Sequence, residues 1–298
     1  MTRHAFLYAR IAFGIAVVSF GAILVRLAQE APSLAISAWR LTIAAAIVVP
    51  WALARRRSAA ALSSRDVAWS IASGTALATH FLLWITSLEY TSVASSVLLV
   101  TTHPVFVALG SRFLLKERMS RRILLGIVLA IAGGVLVGAA DFRFHGKALI
   151  GDALALGGGL AAAVYFLIGR RVRRTTSTSD YIAITYGTAA AVTLAACLAA
   201  GVPLLGFSPS TTGYLVLLAI GPQVIGHSTF NWALKHVPAS SLSVLILGEP
   251  IGSTLLAVLF FGECPSALNA VGAAVILAGI YVSISKREAK HGRSTDRP

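Results

Sequence analysis

Charged side chains are scarce in this sequence, and acidic ones are the scarcest. Asp and Glu together number 11 in 298 residues, and all charged residues make up 12% of the chain, against about 25% in soluble domains. Hydrophobic residues reach 57%, and the mean hydropathy is +0.81. A soluble fold of this length has too small an interior for so much apolar surface, whereas a bilayer hides it at little cost. The composition therefore predicts an integral membrane protein.

Cysteine is nearly absent, since the chain contains only Cys197 and Cys264. Two cysteines make neither a disulfide framework nor a metal motif. The histidines match no HExxH or other metal spacing, and no strand precedes the glycines, as a phosphate-binding loop would require. We therefore expect no cofactor, no metal and no site for ATP. The first apolar run, which ends at Leu27, has no clear cleavage site and predicts a retained span.

Long apolar runs fill most of the remaining sequence. A membrane-spanning helix needs about 20 mostly apolar residues, and ten segments meet this requirement, separated by short loops. We therefore predict an all-α polytopic fold with ten transmembrane helices. The segments are 8–27, 33–54, 67–88, 92–115, 121–140, 148–169, 181–200, 211–234, 239–261 and 266–285.

The basic residues predict the orientation of these spans. With the N-terminus inside the cell, 21 of the 25 Lys and Arg residues fall in inner segments, three fall in outer segments, and Arg40 lies within a span. Basic residues are retained on the cytoplasmic side, so this distribution predicts a plasma (inner) membrane protein with both termini in the cytoplasm. The net charge of +14 is spread over short clusters, which does not favour a nucleic acid partner.

The sequence also repeats itself. A shift of 146 residues aligns 95–133 with 241–279, with nine identities in 39 positions and no gap. Matches of Leu, Ala and Ser are common in so apolar a chain, but those of Pro, Glu and Gly are informative. The informative pairs are Pro104 with Pro250, Glu117 with Glu263, Gly126 with Gly272, and Gly133 with Gly279.

This repeat predicts two five-helix units, at 1–141 and 147–285, followed by a polar cytoplasmic tail at 286–298. Because five is odd, the second unit begins on the opposite side of the membrane, so the two copies are inverted. Inverted repeats are common in transporters, where one half rocks against the other and exposes a central site to alternate sides. We therefore predict a transporter.

The repeated pattern of Pro, Glu and two Gly resembles the EamA-type domain, and two such domains in tandem resemble the drug/metabolite transporter superfamily. The segments ISAWRLTIAA at 36–45 and TSVASSVLLVTTHPVFVALGSRFLLKER at 91–118 support this likeness. Within the superfamily, the layout is most similar to YddG-like exporters of aromatic amino acids. The resemblance implies ten helices around a central cavity, with both termini cytoplasmic.

Polar groups within the spans are the candidates for substrate binding, because they are costly in lipid and usually face a cavity or a partner. Glu249 either faces the cavity, where it would bind an ammonium group or exchange a proton, or pairs with Arg40 or a histidine. Arg40 either attracts a substrate carboxylate, or snorkels to the headgroups or pairs with an acid. His103 occupies the position that corresponds to Glu249 in the other copy, so the two halves of the cavity differ chemically.

Two further spans carry polar and aromatic residues at helical spacing. Gln223, His227 and Asn231 follow each other at i, i+4 and i+8, which places them on one helix face. His80 and Trp84 are likewise four residues apart. These side chains either line a pocket for an amphiphilic solute or form hydrogen bonds between helices.

Six other polar, aromatic or helix-breaking positions have a structural or gating interpretation. Pro104 and Pro250 predict kinks, which either gate the cavity or only shape the packing. Tyr165 and Tyr186 either point inward or anchor a helix at the interface, which is the commoner role of aromatic residues near span ends. Glu117 and Glu263 lie in hairpins, where we expect them to cap helices.

The sequence leads to one main hypothesis and two alternatives. We expect an exporter of amino acids or related small metabolites that works by alternating access, as a monomer or homodimer, with either uniport or proton coupling through Glu249 or a histidine. One alternative is a multidrug exporter of hydrophobic cations bound by Glu249. The other is a membrane-embedded enzyme acting on lipid, with His103 and Glu249 as an acid–base pair; no triad-like spacing supports it.

Overall fold

The computed structural model describes residues 3–55, 62–91, 93–116, 120–139, 146–262 and 267–284, and these residues are entirely helical wherever they form secondary structure. The all-α prediction is therefore confirmed for this part of the chain. Glu117, Glu263, Cys264 and the tail at 286–298 lie outside the described residues. The helices are α1 (Arg3–Val18), α2 (Phe20–Leu27), α3 (Ser33–Arg55), α4 (Ser64–Ser87), α5 (Val93–Val100), α6 (His103–Phe113), α7 (Arg121–Ala139), α8 (Gly146–Val172), α9 (Thr178–Ala199), α10 (Pro209–Leu218), a π-helical segment (Ala219–His227), α11 (Ser228–Ala233), α12 (Ala239–Ile246), α13 (Gly248–Phe261) and α14 (Ala267–Ile284).

Six helical stretches in the described residues are long and apolar enough to cross a membrane. Several other predicted spans are built from shorter helices, among them α5 with α6 and α10 with α11, so the count of ten stays a prediction. Two of the six stretches themselves combine two helices. The six are Ala5–Leu27, Ser33–Arg55, Ser64–Ser87, Ala148–Val172, Thr178–Ala199 and Ala239–Phe261.

Two helix breaks interrupt the fold at related positions. The first lies at Thr101 and Thr102, between α5 and α6, and the second lies at Leu247, between α12 and α13. Pro104 and Pro250 each follow a break and lie in the first turn of the next helix. Proline is tolerated there because the first turn has no intrahelical partner for its missing N–H. The two predicted kinks therefore coincide with helix breaks, and their role in gating stays a prediction.

Glycine allows a close helix crossing between α7 and α14. A Cβ on Gly133 would lie 2.6 Å from the Gly272 carbonyl oxygen, and a Cβ on Gly279 would lie 2.7 Å from the Gly126 carbonyl oxygen. Small residues let backbones approach closely in membrane proteins, where van der Waals packing replaces the hydrophobic effect as the driving force. These are the four glycines that the sequence repeat pairs with one another.

The other main helix contacts connect the two halves of the chain. Helix α3 packs against α9, α4 against α8, α1 against the π-helical segment, and α6 against α12. Because these contacts cross from one half to the other, residues from both halves converge on a single interior.

Glu30 tethers the loop after α2 to the start of α10. Its carboxylate accepts hydrogen bonds from the Ser208 hydroxyl at 2.5 Å, the Thr211 hydroxyl at 2.6 Å and the Ser208 backbone N–H. The Ser208 side chain, followed by that of Thr211, lowers the pKa of Glu30 below its ordinary value. An anion at a helix N-terminus is also favoured by the helix dipole.

This lowered pKa predicts a pH-dependent stability. Because the folded-state pKa is the lower one, the contribution of Glu30 is complete above the ordinary glutamate pKa of about 4.3 and is lost as the pH falls through the folded value. We expect Glu30→Gln to lower the thermal unfolding midpoint at pH 7 and to differ less from the wild type at pH 3. Ser208→Ala removes the strongest donor to Glu30 and also the N-cap of α10, so it should lower the midpoint at both pH values but more strongly at pH 7. An equal difference at both pH values would contradict this role.

Candidate functional site

A central cavity lies between the two halves of the chain, and its lining is mostly apolar and aromatic. Six of the eight predicted binding residues line it. Gln223 and Asn231 are not among the lining residues. The cavity is lined by Val18, Gly21, Ala22, Arg40, His80, Phe81, Trp84, Val97, Val100, Thr101, His103, Ala162, Tyr165, Phe166, His227, Phe230, Ile246, Glu249 and Ser253.

Arg40 is the cationic residue of this cavity, and its side chain is only 1% exposed. Its Nε donates a hydrogen bond of 2.8 Å to the Gln223 side-chain oxygen, and its guanidinium lies 3.9 Å from the centre of the Phe81 ring. A guanidinium over an aromatic face is held by the ring quadrupole. These two contacts fix the side chain in the interior, so the alternative that it snorkels to the headgroups is wrong.

Glu249 supplies the opposite charge. It lies in the first turn of α13 and lines the cavity with Arg40, with which it interacts electrostatically. The Ser19 hydroxyl, at the junction of α1 and α2, donates to the Glu249 backbone oxygen at 3.3 Å. The cavity therefore combines one buried cation and one carboxylate within apolar walls.

His80 and Trp84 lie on the same face of α4, against α8. The His80 Nδ1 is 3.0 Å from the Gly158 carbonyl oxygen, so this nitrogen carries the proton and donates. The two rings are stacked with centroids 6.2 Å apart and planes inclined by 3°. Gly158 makes this arrangement possible, since a Cβ there would lie 3.3 Å from the Trp84 backbone.

The π-helical segment changes the direction of side chains along this span, so Gln223, His227 and Asn231 do not all face the cavity as their spacing predicted. A π-helix is wider than an α-helix and often occurs at functional sites, and this one contains Pro222. His227 lines the cavity and contacts Phe81 edge-on at 5.3 Å. Gln223 lies behind Arg40, while Asn231 accepts a 2.8 Å hydrogen bond from the Tyr165 hydroxyl. Gln223 and Asn231 therefore do not line the cavity but form hydrogen bonds to residues that do, namely Arg40 and Tyr165.

Two tyrosines belong to this wall rather than to the membrane interface. Tyr165 and Tyr186 are fully buried, and the Tyr186 hydroxyl lies 3.1 Å from the Ser228 Oγ. Of the two predicted alternatives, the inward orientation is therefore the one that the structure shows, and the role as interface anchors is wrong. Sequence reasoning also missed Phe81 and Phe166 as cavity residues, because an isolated Phe in an apolar span carries no directional signal.

Three of the seven buried side-chain N and O atoms without a hydrogen-bond partner in the described residues belong to residues that line this cavity. Among the described residues, the Trp84 Nε1, the His103 Nε2 and the His227 Nδ1 have none, and neither does the Gln223 Nε2 behind Arg40. Buried polar groups are normally hydrogen-bonded, so such a cluster indicates groups held ready for a ligand. No group of three potential metal ligands occurs within the described ranges.

Comparisons with known proteins show the family and the fold of this chain. The EamA-like transporter family matches residues 6–139 and again residues 149–285. An uncharacterized transporter of Archaeoglobus fulgidus is 26% identical over 254 residues, which covers 84% of this chain and 86% of the relative. The aromatic amino acid exporter YddG of Ancylobacter novellus is 27% identical over 255 residues, which covers 85% of this chain and 88% of the relative. A solved crystal structure superposes with a TM-score of 0.78 at 24% identity, covering 94% of this chain and 97% of the other.

Proposed function

Because this chain belongs to the EamA-like transporter family, we propose that it exports amino acids with aromatic or other apolar side chains. The observation that carries this proposal is the presence of both Arg40 and Glu249 in the lining of one aromatic cavity. A free amino acid carries a carboxylate and an ammonium group, which these two residues complement, while the aromatic walls suit an apolar side chain. The YddG relative is named as an aromatic amino acid exporter, which supports the same substrate class.

The proposed mechanism is alternating access by two inverted five-helix units, giving ten spans with both termini in the cytoplasm. Three observations support it: the family matches the chain twice, both helix breaks fall in the 146-residue frame, and the glycine contacts between α7 and α14 are reciprocal. Reciprocal contacts are typical of a two-fold relation. A C-terminal fluorescent reporter that folds only in the cytoplasm should therefore fluoresce, while a phosphatase that is active only outside should stay inactive.

Transport in reconstituted liposomes tests the substrate assignment. Vesicles preloaded with tryptophan should accumulate labelled tryptophan and phenylalanine by exchange, and empty vesicles should not. If no amino acid exchanges above the level of empty vesicles, the assignment is wrong. An imposed pH gradient that accelerates tryptophan flux would indicate proton coupling through the cavity, and an unchanged flux would indicate uniport.

The direction of transport is tested in cells. Cells that produce the protein should tolerate a toxic tryptophan analogue such as 5-fluorotryptophan better than cells with an empty vector, because an exporter lowers the internal concentration. Greater sensitivity of the producing cells would instead indicate uptake.

Export of hydrophobic cations remains the second candidate function. Glu249 in an apolar, aromatic cavity is the observation that favours it, because a carboxylate and aromatic faces both attract organic cations. Arg40 in the same cavity opposes it, since a second buried cation would repel the first. The enzyme alternative gains no support from the relatives, which are named transporters or exporters.

A further inference from the structure

His103 begins α6, directly after the first helix break, and its ring is 5% exposed where it lines the cavity. The ring lies against Phe166, with centroids 5.8 Å apart. It therefore forms part of the apolar wall of the cavity while carrying two nitrogen atoms, and the hydrogen bonding of these atoms determines what the wall can recognise.

Pro104 determines which of these nitrogens carries the proton. In a continuous helix, the N–H of residue 104 would donate to the carbonyl of Val100, but proline has no N–H. The His103 Nδ1 lies 3.3 Å from this Val100 oxygen. Since a carbonyl oxygen only accepts, Nδ1 carries the hydrogen in this contact. In the neutral ring the other nitrogen, Nε2, is then an acceptor.

That acceptor has no partner. The His103 Nε2 is buried and makes no hydrogen bond, although buried acceptors without donors are costly. The residue at the corresponding position of the second half is Glu249, which has no imidazole ring. Only the first half therefore presents an imidazole acceptor at this position. A substrate that brings an N–H or O–H to this wall would satisfy the atom, whereas a purely apolar side chain would leave it unpaired.

We propose that His103 is a specificity-determining residue, whose Nε2 selects substrates that carry a hydrogen-bond donor on an otherwise apolar side chain. Indole and phenol groups are such side chains, and phenyl and aliphatic groups are not. This inference rests on the proposed transport of amino acids. It adds a preference within that class: tryptophan and tyrosine are transported in preference to phenylalanine and leucine.

The sharpest test changes one hydrogen atom of the substrate. In liposome exchange, tryptophan should be transported about tenfold more efficiently than 1-methyltryptophan, whose ring nitrogen cannot donate, because one hydrogen bond to a buried polar group gives selectivity of at least this order. Tyrosine should exceed phenylalanine in the same way. Equal efficiencies within each pair would overturn the proposal without any need for a variant protein.

A variant then assigns the preference to His103. His103→Phe keeps an aromatic ring but removes the acceptor, so both transport ratios should fall to near one. His103→Gln, which restores a side-chain oxygen, should recover part of the preference. Thr102→Val is the matched control: its hydroxyl caps the Leu99 carbonyl at the same break and does not line the cavity, so both ratios should stay at the wild-type value.

The outcomes separate this inference from the proposed function. If none of these four compounds is transported by the wild type, the proposed function fails. If they are transported but His103→Phe retains the wild-type ratios, the proposed function stands and the role of His103 is wrong. Loss of all transport in His103→Phe leaves the substrate pairs with the wild type as the deciding measurement.

Discussion

Replacing Arg40 with glutamine should reduce tryptophan transport by about a hundredfold or more, because removing one partner of a buried charge-assisted contact costs several kcal/mol. The guanidinium is the fixed cation of the cavity, held by Gln223 and the Phe81 ring. In the variant, a substrate carboxylate would have no cationic partner in the cavity. The free-energy cost of removing that carboxylate from water would then no longer be offset. Tryptamine, which has the same indole and ammonium groups but no carboxylate, should be affected far less. The measurement is liposome exchange of each compound by the variant and the wild type.

A control separates recognition from folding. Arg10 also stacks on an aromatic ring, that of Trp232 at 4.1 Å, but it does not line the cavity, so Arg10→Gln should transport tryptophan like the wild type. Arg40→Lys retains the charge but loses the planar fork, and we expect it to keep partial activity. Wild-type tryptophan transport by Arg40→Gln would show that Arg40 does not bind the substrate carboxylate.

Replacing Glu249 with glutamine should give the mirror-image result. This change keeps the shape of the side chain and removes the negative charge that complements a substrate ammonium group. We expect tryptophan transport to fall about tenfold to a hundredfold, on the scale of a charge-assisted hydrogen bond. Indole-3-propionate, which retains the carboxylate but has no ammonium group, should change little. Exchange assays with these two compounds provide the comparison.

The matched control is Glu89→Gln, because the Glu89 carboxylate accepts from the Ser33 N–H at 3.3 Å and does not line the cavity. The same experiment decides between the two candidate functions. Transport of tetraphenylphosphonium by the wild type, lost in Glu249→Gln and without any tryptophan transport, would establish the cation exporter. If Glu249→Gln transports tryptophan and indole-3-propionate as the wild type does, Glu249 does not bind the ammonium group.

Together, the two variants test the site as a unit. Arg40→Gln should weaken transport of compounds with a carboxylate, and Glu249→Gln should weaken transport of compounds with an ammonium group. The ratio of tryptamine transport to indole-3-propionate transport should therefore rise in Arg40→Gln and fall in Glu249→Gln. A structural defect would lower transport of all three compounds in both variants. The opposite shifts are therefore a result that loss of folding cannot produce.

Much of the architecture was predictable because its signals are local. A run of about 20 apolar residues is a property of one segment, and it is read without knowing where any neighbour lies. The duplication is equally accessible, since Pro104 with Pro250 and Gly133 with Gly279 recur in one frame. The family follows from these patterns, and both matches of the family to the chain agree with it.

The candidate site was predicted only in part, because the sequence does not show which side of a span faces inward. In a soluble helix the apolar stripe marks the core, but in a bilayer the lipid is as apolar as the interior. Polar residues such as Arg40 and His80 were therefore identifiable as candidates. Phe81 and Phe166 were not, and Gln223 could not be distinguished from a cavity residue.

The sequence by itself determined that this chain is a helical membrane protein of a duplicated transporter family, with few polar groups in its spans. The tertiary structure decided how those groups are used. It placed Arg40 and Glu249 in one cavity, turned Asn231 into a support for the wall, and set the Nδ1 of His103 against a carbonyl that Pro104 leaves free. These outcomes depend on helix rotation, on the π-helical segment and on helix breaks, which arise from contacts between segments far apart in the chain and so leave no local pattern to read.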